Sequence, residues 1–310
     1  TLNWTQSFSG PIIKSMLYYQ DNLYLVVQES TPTSSAMLYS VSVSTGDFKK
    51  MIPLQERDLS DPTVAKGKLF IADGERLKCV YLQSSQLLWE KEIALNLDLR
   101  PVIQGNQIVV VQKDNKLSLL DTDSGKEYWQ LILNDELLQS PIIYKDMIVL
   151  SQKKDKQIKT TPYFQGISLK DGHQLWEYYV SGPYQTIPVS PGISQGIFYS
   201  IVGIGDEHSL VALDLQTGAQ AWQYSLMPAS SFEGRVSIDE DRGIYVMRDN
   251  KEGEPLLDIL DLKTGRLKES LKLQTVLGEL NSASVHYMQP YKSYLYLQLT
   301  KGPSSIFAIK

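Results

Sequence analysis

Several short stretches of this chain carry residue types that do chemistry in enzymes. Gly192-Ile193-Ser194-Gln195-Gly196 has the G-x-S-x-G spacing that sets a serine nucleophile on a strained strand-to-helix turn. The residues that follow, Ile197-Phe198-Tyr199-Ser200-Ile201-Val202, read as a strand, so a hairpin turn is expected there and not a nucleophile. His173, His208 and His286 stand far apart, without H-x-x-x-H spacing or a nearby cysteine, which spells neither a metal site nor a triad. His173 follows a turn glycine and is expected to face solvent; His208 is expected in a loop before a strand. Asp121-Thr122-Asp123-Ser124-Gly125 resembles the start of a calcium loop but lacks the trailing glutamate, and Asp239-Glu240-Asp241-Arg242-Gly243 shares that lack. Both read as hairpin tips. The expectation is a chain with no catalytic residues, no cofactor and no metal.

Composition narrows the remaining classes. The chain has 310 residues, 42% hydrophobic and 21% charged, with a net charge of −5. Acidic residues exceed basic ones by 35 to 30, which argues against a nucleic-acid surface, where phosphates need clustered Lys and Arg. One cysteine, Cys79, forbids an internal disulfide. No apolar run reaches the roughly 18 residues that a membrane-spanning helix needs, so a soluble globular chain is expected. It starts at Thr1 without a charged, apolar leader and reads as a mature or trimmed product, leaving room for a membrane tether upstream of Thr1.

The elements must be sought through a repeat. Four of the five tryptophans end one pattern, seen in full in Asp214-Leu215-Gln216-Thr217-Gly218-Ala219-Gln220-Ala221-Trp222 and again at Trp89, Trp129 and Trp176. Its turn position holds Gly46, Ser85, Gly125, Gly172, Gly218 and Gly265, at spacings of 39, 40, 47, 46 and 47 residues. Short strands at a period of roughly 40–50 residues are the mark of a propeller blade. The turn glycine supplies φ > 0, and an aspartate four residues earlier can bond the turn amides. Six residues before the turn stand Ser40, Cys79, Leu119, Gly166, Ala212 and Ile259, mostly small, as packing between blades requires. The tryptophan offers a large plate to lock adjacent blades. The C-terminal Ser305–Lys310 matches a third strand and the N-terminal Thr1–Phe8 a fourth, with the fifth tryptophan, Trp4, in register. The expected fold is a single all-β domain over 1–310, a seven-bladed β-propeller of four-stranded antiparallel blades. Its blades are 9–55, 56–95, 96–133, 134–180, 181–226, 227–273, and 274–310 closed by 1–8.

In register, these copies resemble the PQQ-like β-propeller repeat superfamily, whose motif runs small-x-Asp-x-x-Thr-Gly-x-x-x-Trp. Ala212, Asp214, Thr217, Gly218 and Trp222 match it throughout, and Asp121, Ser124, Gly125 and Trp129 match it closely. Within the superfamily the chain is similar in character to the BamB-like type, lipoproteins of outer-membrane assembly with eight blades where seven are counted here. The resemblance implies a non-catalytic protein–protein scaffold of the cell envelope, extracytoplasmic and monomeric. Quinoprotein dehydrogenases share the motif, but that likeness would imply a longer chain, a calcium beside the quinone and a pair of adjacent cysteines. The alternative is a small-molecule or glycan-binding propeller, or a lactonase-type or lyase-type enzyme, working in the central funnel.

In such a fold the second-to-third hairpins and the inter-blade connections share one face, and long loops on a rigid scaffold are where recognition sits. The inter-blade connections hold Glu56, Asp58, Asp61, Asp98, Asp135, Glu136, Glu233 and Glu279 against Arg57, Arg100 and Arg235, eight acids to three bases. Apolar Leu137, Tyr184 and Phe232 interleave with them, so an acidic, apolar-spotted face suited to a protein partner is expected. Lys153, Lys154 and Lys156 mark one exception, expected to be a projecting basic loop.

Overall fold

The computed structural model describes residues 3–31, 34–156, 159–180, 189–204, 207–226, 236–250, 252, 254–273, 285–291, 294–299 and 306–309. They form antiparallel sheets in chain order. The first sheet is β1 (Leu17–Tyr19), β2 (Asn22–Thr31), β3 (Ser34–Ser42) and β4 (Phe48–Leu54). The second is β5 (Thr63–Ala65), β6 (Lys68–Asp73), β7 (Arg76–Tyr81) and β8 (Gln86–Glu92), and the third β9 (Val102–Gln104), β10 (Gln107–Val111), β11 (Lys116–Asp121) and β12 (Glu127–Ile132). The fourth contains β13 (Glu136–Leu137), β14 (Ile142–Tyr144), β15 (Met147–Lys156), β16 (Lys159–Ser168) and β17 (Gln174–Tyr179), in the order β13-β15-β16-β17 with β14 also on β15. The fifth is β18 (Val189–Ser194), β19 (Ile197–Ile204), β20 (Glu207–Asp214) and β21 (Gln220–Ser225). The sixth is β22 (Val236–Asp239), β23 (Gly243–Asp249), β24 (Pro255–Leu260) and β25 (Leu267–Lys272). The last, with three described strands, is β26 (Val285–Tyr291), β27 (Tyr294–Leu299) and β28 (Ile306–Ile309).

The chain divides into two compact units, Thr1–Leu150 with Ser168–His173, and Ser151–Ile167 with Gln174–Lys310. In the first unit, Tyr24, Val26, Leu38, Leu69 and Ile71 fill the space between the first and second sheets. Phe70, Leu77, Cys79, Ile108 and Val110 do so between the second and third. In the second unit, Tyr199, Leu210, Val246 and Leu260 join the fifth and sixth sheets, and Tyr245, Leu257, Met288 and Leu297 the sixth and seventh. Central strands are covered on both faces, which is why Phe70-Ile71-Ala72 and Ile108-Val109-Val110 are continuous apolar runs without alternation.

Tryptophans seam the second, third, fourth and fifth sheets each to the one that follows. Nε1 of Trp89 donates to Thr122 O at 3.0 Å, Trp129 to Leu169 O at 3.0 Å, Trp176 to Leu215 O at 2.7 Å and Trp222 to Leu262 O at 3.2 Å. In every case the acceptor lies three residues before the next turn glycine, and the indole rests on that glycine. A Cβ on Gly125, Gly172, Gly218 or Gly265 would stand 2.5–3.0 Å from an indole carbon, and the same glycines sit at φ +66° to +76°. Glycine is thus required twice, by the backbone and by the ring. Trp4 repeats the geometry, with Nε1 2.6 Å from Val43 O and its ring 2.8 Å from a Cβ on Gly46. Residues 3–8 themselves are in no strand, unlike the fourth strand expected of Thr1–Phe8.

Two ladders differ. Where four ladders pair a tryptophan with the position six before the turn (Trp89 with Cys79, Trp129 with Leu119, Trp176 with Gly166, Trp222 with Ala212), the sixth sheet pairs Glu269 with Ile259 and the first pairs Lys49 with Ser40. The bulge that follows the turn elsewhere is displaced here to Met37/Tyr39. The next turn, with no ring upon it, tolerates a side chain: Ser85 adopts φ +62°.

Candidate partner-binding face

The chemistry-bearing stretches resolve into turns and packing. Ser194 ends β18, Gln195 and Gly196 at φ +50° and +82° form a two-residue hairpin into β19, and the Ser194 hydroxyl, 2% exposed, donates to Glu240 Oε1 at 3.1 Å. Strand-turn-strand geometry cannot hold an elbow nucleophile. Asp121 accepts the Asp123 and Ser124 amides and the Tyr128 hydroxyl, and Asp214 and Asp261 hold their own turns likewise. Asp239 accepts the Asp241 and Arg242 amides as a hairpin tip. His173 is exposed beside Asp171 at 2.5 Å, while the side chain of His286 lies outside the described residues. His208 departs from expectation: ladder pairing runs as far as Ile204 with Glu207, so His208 sits inside β20 at 6% exposure and not in a loop. Burial pushes the Cys79 thiol up to about 12, which leaves it a packing group.

The hairpin ends of the central strands carry what spacing alone did not single out, a buried polar knot. In the second sheet Asp73 and Lys78, 1% and 8% exposed at the side chain, pair at 2.5 Å. The Asp73 carboxylate also accepts the backbone N–H of Gln55 at 3.0 Å and of Glu56 at 2.8 Å, and Gly74 N donates to Asp58 O at 2.8 Å. These bonds pin the first inter-sheet connection. Glu29 in the first sheet accepts from Tyr39, Lys50 and Ser9, and Asp258 in the sixth accepts from Arg248, Tyr224 and Ser270. The legible signal was a charged residue inside an apolar strand, as in Leu77-Lys78-Cys79-Val80.

Against the pinned connection lies a cleft of about 730 Å³, lined among others by Glu56, Arg57, Asp58, Glu75, Arg76 and Lys113. Glu56 and Asp58 are therefore brought together, exposed, on the face that bears the second-to-third hairpins. The cleft carries both signs of charge. Nearby, Asp61 takes the Ser15 amide and hydroxyl at 3.1 and 2.9 Å and Arg100 at 3.3 Å. Burial raises its pKa, but the Ser15 bonds and the Arg100 charge outweigh that and leave it lowered. Of the other expected residues, Asp135 is half-buried, Glu136 exposed, and Leu137 6% exposed within β13, where it serves packing. Tyr184 and Phe232 lie outside the described residues. The lysine stretch is not a loop: β15 runs to Lys156 and β16 starts at Lys159, because ladder pairing satisfies the backbone whatever the side-chain charge. Lys153 and Lys154 are half-buried, Lys154 Nζ lies 5.9 Å from the Tyr179 ring centroid, and the Lys156 side chain is outside the described residues.

Antiparallel sheets in series, most of them four-stranded and four of them seamed to the next by an indole on a turn glycine, are the build of a PQQ-like β-propeller. The chain belongs to the family described as outer membrane protein assembly factor BamB, whose model matches residues 73–297. The resemblance read from the repeat is thereby borne out. Over 132 residues the chain is 29% identical to outer membrane protein assembly factor BamB of Escherichia coli (strain K12), spanning 42% of this chain and 31% of that protein. Over 245 residues it is 23% identical to the Shewanella oneidensis protein of the same description, spanning 72% and 59%. The chain thus spans less than two thirds of the length of these relatives. Among solved structures, BamB from Moraxella catarrhalis is similar with a TM-score of 0.63 at 13% identity, covering 98% of this chain and 87% of that one. A europium-containing methanol dehydrogenase follows with a TM-score of 0.52 at 14% identity, covering 68% and 50%. These two likenesses speak to fold alone. Among the described residues no helix is long and apolar enough to cross a membrane.

Proposed function

We propose that this protein is a non-catalytic scaffold of outer-membrane protein assembly, a seven-bladed propeller closed by its N-terminal segment and working outside the cytoplasm, tethered or free at the envelope. Its partner is a protein. The observation that carries this reading is the cleft beside Glu56 and Asp58. It is exposed, charged, held rigid by Asp73, and borne by a member of a family whose relatives are named for assembly. Preorganised polar groups on a fixed loop suit a partner that must be met in one register. The seating of Trp4 on Gly46 supports closure, since a fourth-strand tryptophan seats this way at four other seams.

The test is site-specific photo-cross-linking from position 57 in the native host, with mass-spectrometric identification of the adduct. An envelope assembly protein should be captured, and capture should fall by about tenfold or more in a Glu56→Lys/Asp58→Lys variant. Recovery of the chain in the cytoplasmic fraction, or a cross-link pattern untouched by the double reversal, overturns the proposal.

A further inference from the structure

We infer that the seam between the first and second sheets is a binding site for an acidic saccharide unit. At the neighbouring seams an indole fills the space over the turn; here β4 supplies Lys49, and a cavity of about 510 Å³ remains. That volume lies within the range of small-ligand pockets. An indole cannot occupy it in the pose seen elsewhere, because the Ser85 Cβ stands where the sister glycines leave room for the ring.

The lining matches a hydroxyl-rich ring carrying an anion. Tyr81, 36% exposed, gives an aromatic face for the ring to stack on. The side-chain amides of Gln20 and Gln83 supply paired donors and acceptors, and the Tyr81 hydroxyl, donating to Gln83 Oε1 at 3.1 Å, orients one of them. Lys49 is the one cation in a lining that holds no carboxylate, which selects an anionic over a neutral sugar. The cavity opens at the Leu82–Ser85 turn end of β7, whereas the partner cleft is built at the Gly74 end. Six residues of strand, about 20 Å, separate the two, so this site stands independently of the proposed scaffold role.

Saturation-transfer NMR and calorimetry on the full chain test the inference with three probes: glucuronate, glucose and N-acetyltyrosine amide. Glucuronate should bind, with glucose about tenfold weaker or more. Lys49→Glu, an exposed change, should abolish glucuronate binding. Lys49→Trp with Ser85→Gly, which rebuilds the sister seam, should abolish it while raising Tm. The inference is overturned if glucuronate does not bind, if it binds no better than glucose, if it binds the rebuilt variant equally well, or if only the tyrosine amide occupies the site.

Discussion

Gly218 and Ser85 occupy the same turn position and make opposite predictions. Gly218→Ala places a Cβ 2.7 Å from the Trp176 ring at φ +71°, so strain and overpacking should cost about 2–4 kcal/mol. Ser85→Ala, at a turn that already carries a Cβ and has no indole above it, should change stability by less than about 0.5 kcal/mol. Urea midpoints of the two variants decide the matter; equal losses would mean that the rings are not what demands glycine. Lys78→Ala is the second residue-scale case. It leaves the Asp73 carboxylate buried beside an empty place and should cost about 3–5 kcal/mol by the same measurement.

At the scale of elements, the connection after β4 is held by its neighbour and not by its own sequence. Asp73→Ala removes the acceptor for the Gln55 and Glu56 amides, so hydrogen exchange of those two amides should rise by about tenfold or more while β6 and β10 stay protected. Unchanged exchange would show the loop to be ordered by something else. This is also where sequence reading reached its limit. The turn position, the tryptophans and the strand order were legible because φ > 0 and a large ring leave few residue choices. The Asp73–Lys78 knot was not, because its partners come from strands and a connection that only pairing brings together. The basic stretch at Lys153–Lys156 misled in the other direction, since charge says where solvent is but not whether the backbone is paired. His208 was misplaced for the same reason.

For the molecule as a whole, the turn carboxylates contribute to the acid limit, together with Glu29 and Asp61, whose pKa values are lowered too. Hydrogen bonds from the Ser124, Ser168 and Thr264 hydroxyls are the leading cause that lowers the pKa of Asp121, Asp171 and Asp261, and His173 helps to bring Asp171 to about 2. Unfolded aspartates titrate near about 3.9, so below that value the unfolded chain binds more protons and stability drains away as pH falls through the folded values. Tm should hold steady above about pH 5 and decline toward pH 2, and a triple Asp→Asn variant at these positions should lower Tm at neutral pH and flatten the decline. An acid limb of unchanged slope in that variant would assign it to other groups. The Lys49 seam has a mechanical consequence as well. A row of clasps opens where one is missing: Trp4, Trp89 and Trp129 close the turn ends of their seams in the first unit, and over Ser85 the exposed Lys49 stands in the place of an indole, leaving the apolar packing of the two sheets to hold that seam. Thermal breathing, proteolytic nicking and insertion of foreign chain should begin there, making the weakest hinge of this unit also the one a small ligand could lock.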